Sequence, residues 1–382
     1  MNTLTDLLKK NNAFFCLECG KCTASCPIAQ VNNSYSPRMI VAHSVVRAEE
    51  ETLRDPMLWA CLSCKSCEAG CPAEVDYTNL MLELRAKAGE YGQHGRCTHG
   101  GALQSLMRIM KAADLTQKRL DWVSSTLEIA EKGEVLYFVG CAPYFEVFFS
   151  RLSARPLDAA RSVIKILNKL GIEPVLMPDE RCCGHDLLWS GDRESFVKLA
   201  EHNLQAIQRT GAKKVVFSCP ECYRTVKEDY AATFGALDFT MCHISEVVAE
   251  ALESDTLFFP TDSRDATVTF QDPCRLCRHL GVVEAPRKVM TSIPGIHLHE
   301  MPKSGKRAMC CGVSHWMNCT IYSKQIQVRR LQHARATGAD TLITACPKCE
   351  IHLRCAMQDL NLGEAIRMEI KDVATLAAEA LS

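Results

Sequence analysis

The sequence predicts an α+β chain: a small helical domain wrapped round two cysteine clusters, followed by a duplicated α/β domain with largely parallel sheets. Three observations predict it. The first is eight cysteines in two runs of four, Cys16, Cys19, Cys22, Cys26 and Cys61, Cys64, Cys67, Cys71, among short helical segments. The second is a change of pattern at Glu134, after which short β-branched runs alternate with amphipathic helices, as layered parallel sheets require. The third is a repeat within that second half. VLYFVGC, ERCCGHD, KVVFSCPECY and HISEVVAEAL are followed in the same order by TVTFQDPC, AMCCGVS, TLITACPKCE and a closing helix. A repeat of this length marks a duplication, so two related lobes about a pseudo-two-fold axis are expected.

In the first domain, Pro37 suits the first turn of a helix and opens PRMIVAHSVVRAEEE, with Met39, Ile40, Val45 and Val46 as candidates for its buried face. A second helix is expected over Tyr77 to Ala88, with Leu80, Leu84 and Ala88 at i, i+4 and i+8. YGQHGRCTHGG, rich in glycine and histidine and without period, reads as the exit from this domain, and Ala102 to Lys132 as a charged helical connector. Beyond it the expected strands are VLYFV, EPVLM, KVVFS, ATVTF, IHLHE and DTLITA, with helices such as ARSVIKILNKL and RESFVKLAEHNLQAIQRT between them. The expected boundaries are therefore a ferredoxin-type domain over 1–92, a helical linker over 93–133, and two repeat domains over 134–254 and 265–382.

The bulk numbers narrow the classes. A chain of 382 residues that is 47% hydrophobic can bury a core without cross-links. A net charge of -1 leaves no basic footprint for nucleic acid, and no block of like charge suggests a disordered tail. Twenty-three cysteines are far too many for chance, and a chain with its own core does not need them as disulfides. The opening MNTLTDLLKKNNAF lacks the charged, apolar and cleavable parts of a signal peptide, so reduced thiols in the cytoplasm are expected. The most apolar stretch, VLYFVGCAPYFEVFFS, is broken by Gly140, Pro143 and Glu146 and falls short of the ~20 residues that cross a bilayer. Any membrane connection would come through another subunit.

Each run of four reads CxxCxxCxxxCP, closed by Pro27 or Pro72. Three cysteines in one tight loop reach three irons of a cube, while the fourth, beyond a turn, points away and completes the other cluster. The expected sets are Cys16, Cys19, Cys22 and Cys71 for one [4Fe–4S] cubane, and Cys61, Cys64, Cys67 and Cys26 for the other. Two structural zinc sites are the competing reading, but these usually pair CxxC elements across a long gap.

The second motif is Cys141, then Cys182-Cys183-Gly184, then Cys219-Pro-Glu-Cys222, and its copy is Cys274, then Cys310-Cys311-Gly312, then Cys346-Pro-Lys-Cys349. Adjacent cysteines in an extended chain face opposite ways, so both reach one group only where the chain turns sharply, and the glycine permits that turn. Proline after the first cysteine of each CxxC suits the first turn of a helix, whose N-terminus favours an anionic thiolate group.

With these motifs on view, the second half resembles the cysteine-rich (CCG) family, typified by the B-type subunit of heterodisulfide reductase. The first half, CLECGKCTASCP…YSPRMIV…LWACLSCKSCEAGCPAEVDY, is similar to the C-type subunit of that enzyme. Together they look like the fused form, the D-type subunit of heterodisulfide reductase. Related chains serve glycolate, lactate and glycerol-3-phosphate oxidation, sulfite reduction and quinone-linked complexes. The resemblance implies one or two non-cubane [4Fe–4S] clusters where a disulfide is cleaved. One would be held by Cys141, Cys182, Cys183, Cys219 and Cys222, the other by Cys274, Cys310, Cys311, Cys346 and Cys349, with Cys182, Cys183, Cys310 and Cys311 as cluster-bound reaction centres.

Two departures lie beside the second copy: Gln271 stands where related chains commonly have histidine, and Val313-Ser314-His315-Trp316 where a glycine-rich run is usual. They put disulfide chemistry at that copy in doubt. His185, His315 and Lys348 are each candidates to give a proton to a leaving thiolate, or else simply hydrogen-bond beside a cluster. The five remaining cysteines, Cys97, Cys242, Cys277, Cys319 and Cys355, are expected as buried apolar residues, with Cys277 a possible substitute ligand.

The leading expectation is an iron–sulfur electron-transfer subunit of a larger, heterodisulfide reductase-like complex, an oxidoreductase part with flavin-, quinone- or metal-containing partner subunits and a thiol or disulfide substrate. The second is a pure conduit between a flavin- or metal-containing catalytic subunit and a quinone, ferredoxin or cytochrome. The third is a zinc scaffold. No GxGxxG follows a strand, so hydride uptake from a nicotinamide is not expected.

Overall fold

Among the described residues, seven short strands form two sheets, and every pairing between these strands is parallel. The computed structural model describes residues 3–260, 265–312, 314–359 and 361–381. β1 (Val135–Phe138), β2 (Lys214–Phe217) and β3 (Thr240–His243) lie in the order β1-β2-β3. β4 (Ala266–Gln271), β5 (Ile296–Leu298), β6 (Thr341–Thr344) and β7 (Glu369–Asp372) lie in the order β5-β4-β6-β7. Parallel strands are covered on both faces, so their sequences are continuous apolar runs. Leu136, Tyr137 and Phe138 are buried, as are Val215, Val216 and Phe217. The duplication holds at the level of register: Phe138 pairs with Phe217 in the first sheet as Gln271 pairs with Thr344 in the second.

Five of the six expected runs are strands; EPVLM is not. Val175 alone makes parallel bridges, to Ala130 and Leu136. Pro174 lies within the segment and Pro178 follows it, and a proline offers no N–H to a ladder. Two strands went unread. β3 (Thr-Met-Cys-His) and β7 (Glu-Ile-Lys-Asp) are the edges of their sheets, half in water, and carry polar residues that hide the apolar signal.

The expected helix RESFVKLAEHNLQAIQRT is present as Arg193–Thr210. ARSVIKILNKL is the body of Pro156–Lys169, which buries Val163, Ile164, Ile166 and Leu167. Pro37 opens a helix that ends at Val46, but its buried face is Pro37, Ile40, Val41 and Ser44. Met39, Val45 and Val46 are exposed, so of the four residues expected inside only Ile40 is. Tyr77–Glu90 buries Leu80, Leu84 and Ala88 as their spacing requires. The connector differs most: only Ala102–Ile109 is helical, and residues 110–133 run irregularly. That stretch is dense in Asp, Ser and Thr, whose side chains compete for the backbone and favour turns.

The residues group into two compact units. One comprises Met1–Ile109, Gly184–Val197 and Met309–Gln327; the other comprises Met110–Cys183, Lys198–Ala308 and Val328–Ser382 and contains both sheets.

At the end of β7, Asp372 is buried and accepts a hydrogen bond from Ala374 N–H at 2.8 Å, capping the helix Val373–Ala380. Burial raises its carboxyl to about 8, against the pull of that N–H, with Glu350 adding to the rise. An unfolded aspartate titrates near ~3.9, so between these values the folded chain keeps a proton that the unfolded chain has lost. The stability this supplies is complete below about pH 4 and is lost as pH rises toward 8. Asp372→Asn keeps a good cap and carries no charge. The gap between variant and wild-type melting temperatures should therefore widen in the variant's favour as pH rises through that window. A constant gap would show that Asp372 does not titrate there.

Candidate iron–sulfur sites

The two ferredoxin-type loops turn by the same device. Glu18 and Ser63, each just before the second cysteine of its run, adopt left-handed backbone at φ 49° and φ 45°. Cys16, Cys19 and Cys22 line a cavity together with Cys71 and Pro72. Cys61, Cys64 and Cys67 line another together with Cys26 and Pro27. The structure thus brings the last cysteine of each run to the first three of the other. Arg85, fully buried on the helix Tyr77–Glu90, braces the second loop. It donates to the carbonyls of Leu58 at 2.9 Å, Cys61 at 2.7 Å and Trp189 at 3.3 Å. Burial, with Cys64 nearby, pushes the Cys26 thiol far above its usual range. Such a thiol ionises only beside strong positive charge, which iron would supply. No disulfide joins any of the cysteines among the described residues, so the donor sets fit an iron–sulfur group in both cavities.

The first copy of the second motif gathers at the strand ends. Cys141 follows β1 and precedes the helix Ala142–Phe148. Cys219 follows β2, and Pro220 is the first residue of the helix Pro220–Arg224. Gly184 has φ +82°, and a Cβ there would lie 2.8 Å from Phe196. Gly312, its counterpart, has φ +94°, with a Cβ 2.8 Å from Ser323 O. The thiols touch in series: Cys141 with Cys182, Cys182 with Cys183, Cys183 with Cys222, and Cys222 with Cys219. Four buried thiols and the partly buried Cys141 in one array, without a disulfide, again fit a thiolate-bound iron–sulfur group.

The supports of this array were not visible in the sequence. Asn203 accepts from Arg181 N–H at 2.9 Å and donates to Cys182 O at 3.1 Å; Tyr230 donates to Cys183 O at 3.0 Å. Glu180 accepts from the N–H groups of Val139 at 3.1 Å and Gly140 at 2.8 Å, and from the buried guanidinium of Arg119, which also donates to Gly140 O. Glu180 stands next to the CCG motif and was within reach of inspection. Arg119 sits in the stretch read as a helix, and nothing local marks it.

In the second copy, Cys346 follows β6, Pro347 opens the helix Pro347–Met357, and Cys346 is hydrogen-bonded to Cys349. Cys346 also touches Cys219 of the first copy. Beside that contact, Lys348 and Glu221 form an ion pair at 2.5 Å, with side chains 5% and 12% exposed. They occupy the same place in the two CxxC motifs. Cys274 is partly buried; Cys310 and Cys311 are buried and belong to the other compact unit. Gln271 is buried, accepts from Arg330 and donates to Asp272 O at 3.1 Å. Val313 lies outside the described residues. Trp316 is buried, and its carbonyl accepts from Thr98 N–H at 2.8 Å and Gln104 at 3.0 Å.

His185 and His315 are both buried, with ring centres 5.4 Å apart. Of the five other cysteines, Cys277 is buried, its thiol pushed to about 12 by desolvation, while Cys319 is exposed and not the buried residue expected. Among the described residues no helix is long and apolar enough to cross a membrane.

Residues 12–75 match the family described as 4Fe-4S dicluster domain, and residues 135–227 and 268–354 each match the Cysteine-rich domain. The chain is 36% identical over 275 residues to the D-type subunit of Dihydromethanophenazine:CoB--CoM heterodisulfide reductase from Methanosarcina acetivorans, covering 70% of this chain and 64% of that protein. It is 26% identical over 379 residues to the B-type subunit of Fumarate reductase (CoM/CoB) from Methanothermobacter marburgensis, covering 95% of this chain and 72% of that protein. A protein of Chromohalobacter salexigens named Probable membrane-anchored ferredoxin is 26% identical over 96% of this chain and 59% of its own length. The chain spans less than two thirds of the length of the heterodisulfide reductase subunits it matches. A dicluster domain running into a doubled cysteine-rich domain, with about a third of the residues shared over some 70% of its length, makes this chain similar to the D-type iron–sulfur subunits of heterodisulfide reductase.

Proposed function

We propose that the chain is an electron-transfer subunit of a larger redox complex. Electrons would pass singly between a partner subunit and the cysteine-rich half by way of the ferredoxin-type half. The observation that carries this reading is the sorting of thiols into two four-cysteine cavities and a separate five-thiol array. Cys16, Cys19, Cys22 and Cys71 would hold one cubane and Cys61, Cys64, Cys67 and Cys26 the other. Cys141, Cys182, Cys183, Cys219 and Cys222 would hold a non-cubane cluster, and the equivalent five of the second copy another.

The clusters, when bound, supply reversible one-electron storage. The chain's own residues hold and bias the ligands. Arg85 fixes the Cys61 loop; Asn203 and Tyr230 fix the vicinal pair through its carbonyls. Hydrogen bonds from Cys222 and Cys346, with Lys348 nearby, hold Cys219 well below the usual thiol range, ready to ligate. The reaction class is RSSR′ + 2 e⁻ + 2 H⁺ → RSH + R′SH, run in either direction, with a thiol or disulfide as substrate. A second reading, a conduit without disulfide chemistry, draws on one observation: the departure Gln271 is locked to Arg330 and not offered to a substrate.

Electron paramagnetic resonance of the oxidised protein with and without added thiol separates the two. A thiol-induced signal that survives Cys310→Ala and disappears in Cys182→Ala supports substrate chemistry at the first copy. Loss in both would make the two copies one reaction centre. No such signal in the wild-type protein, with iron and acid-labile sulfide at full load, would leave the conduit.

A further inference from the structure

We propose that His185, Asp186 and His315 form a binding site for one divalent transition-metal ion of the zinc or iron(II) class, distinct from every cysteine set. Each offers a ligand atom, and these atoms lie within 4.8 Å of one another. All three are buried, at 1%, 3% and 1% exposure, so the cluster is shielded from bulk water. The imidazole centres are 5.4 Å apart. Two imidazoles on one tetrahedral ion, with nitrogens at about 2.0–2.1 Å, bring their ring centres to roughly this separation.

The surroundings hold the rings as a metal site requires. A ligating imidazole almost always spends its other nitrogen on a hydrogen bond that fixes its tautomer and orientation. His315 Nε2 lies 2.6 Å from Ser63 Oγ and 2.6 Å from Ser314 Oγ, which assigns Nδ1 to the ion. Trp189 stacks on His315 at 5.2 Å and 8°, and packs at 6.0 Å from His185, so neither ring swings freely. His315 and Trp316 take successive left-handed backbone angles, φ 59° and φ 51°, a strained turn that persists only where its surroundings hold it. Two nitrogens and a carboxylate oxygen suit zinc, iron or manganese better than calcium or magnesium, which want oxygen alone.

The consequence is structural. His185 follows Cys183 by two residues, His315 follows Cys311 by four, and Ser63 sits between Cys61 and Cys64. His185, Asp186, His315 and Ser63 all belong to one compact unit. An ion there would staple the two segments that leave the CCG turns to the loop of the second ferredoxin motif. No cysteine takes part, so the site stands or falls apart from the cluster assignments.

The test uses the full chain, purified anaerobically with its clusters, given one equivalent of Zn²⁺ and desalted. Expected are about one zinc per chain and zinc-edge X-ray absorption with a nitrogen/oxygen shell and no sulfur. Retained zinc should fall at least tenfold in His315→Ala and His185→Ala, with iron and acid-labile sulfide per chain unchanged. No zinc retained by the wild type, zinc retained equally by both variants, or a sulfur shell around it would each overturn the proposal. The absorption spectrum of the wild type decides the ligand set even if a variant misfolds.

Discussion

Cys26→Ser should abolish the reduced-state resonance of the cluster assigned to Cys61, Cys64 and Cys67 and leave the cluster of the first motif intact; Cys71→Ser should do the reverse. The effect is large because a cubane with a hydroxyl in place of one thiolate is poorly held, and a wall of its cavity changes with it. Cys26 is buried and shares its cavity with three cysteines that follow it by 35 to 41 positions, and with none of its own motif. Cys71 shares a cavity with Cys16, Cys19 and Cys22 in the same way. Reduced samples of C26S, C71S, C16S and C61S compared side by side are sufficient. C26S should resemble C61S. If it resembles C16S instead, each motif builds its own cluster and the exchange of fourth ligands is wrong.

Lys348→Met should cost about 3–5 kcal/mol, because it leaves the Glu221 carboxylate buried without its partner. Adding Glu221→Met to that variant should recover most of the loss, since an apolar pair of similar volume replaces the ion pair at little net cost. Chemical unfolding of the three variants gives the comparison; a double variant no better than K348M would show that the pair is not what the site needs. The charge swap, Glu221→Lys with Lys348→Glu, asks a different question. Hydrogen bonds from Cys222 and Cys346 lower Cys219, with Lys348 assisting, while the hydrogen bond to Cys219 raises Cys346, with Glu221 adding to it. With a cluster in each copy, a cation beside one would ease its reduction and an anion beside the other would oppose it. The swap should keep the fold while shifting the two potentials in opposite directions in a redox titration. Unchanged potentials would reduce the pair to a structural clasp.

Much of this protein is local and was therefore legible. The spacing of Cys16 to Cys26 and of Cys61 to Cys71 names the ligand type, because a cubane constrains a few successive residues. Gly184 and Gly312 take the left-handed turns their place after a vicinal cysteine pair demanded, and Pro220 and Pro347 open the helices expected of them. The duplication was written in the order of motifs and reappears as matching strand registers. Buried central strands announced themselves by unbroken apolar runs, whereas β3 and β7, half in water at the sheet edges, did not. Tertiary structure alone decided the rest. It brought Arg119 to Glu180 across 61 positions and Ser63 to His315 across 252, and it paired Glu221 with Lys348 from separate repeats. The segment after Ile109 shows the reason. Its residues carry only weak local preferences, whereas a Glu180 carboxylate buried at a strand end without Arg119 would cost about 3–5 kcal/mol, and no window of neighbouring residues contains both partners.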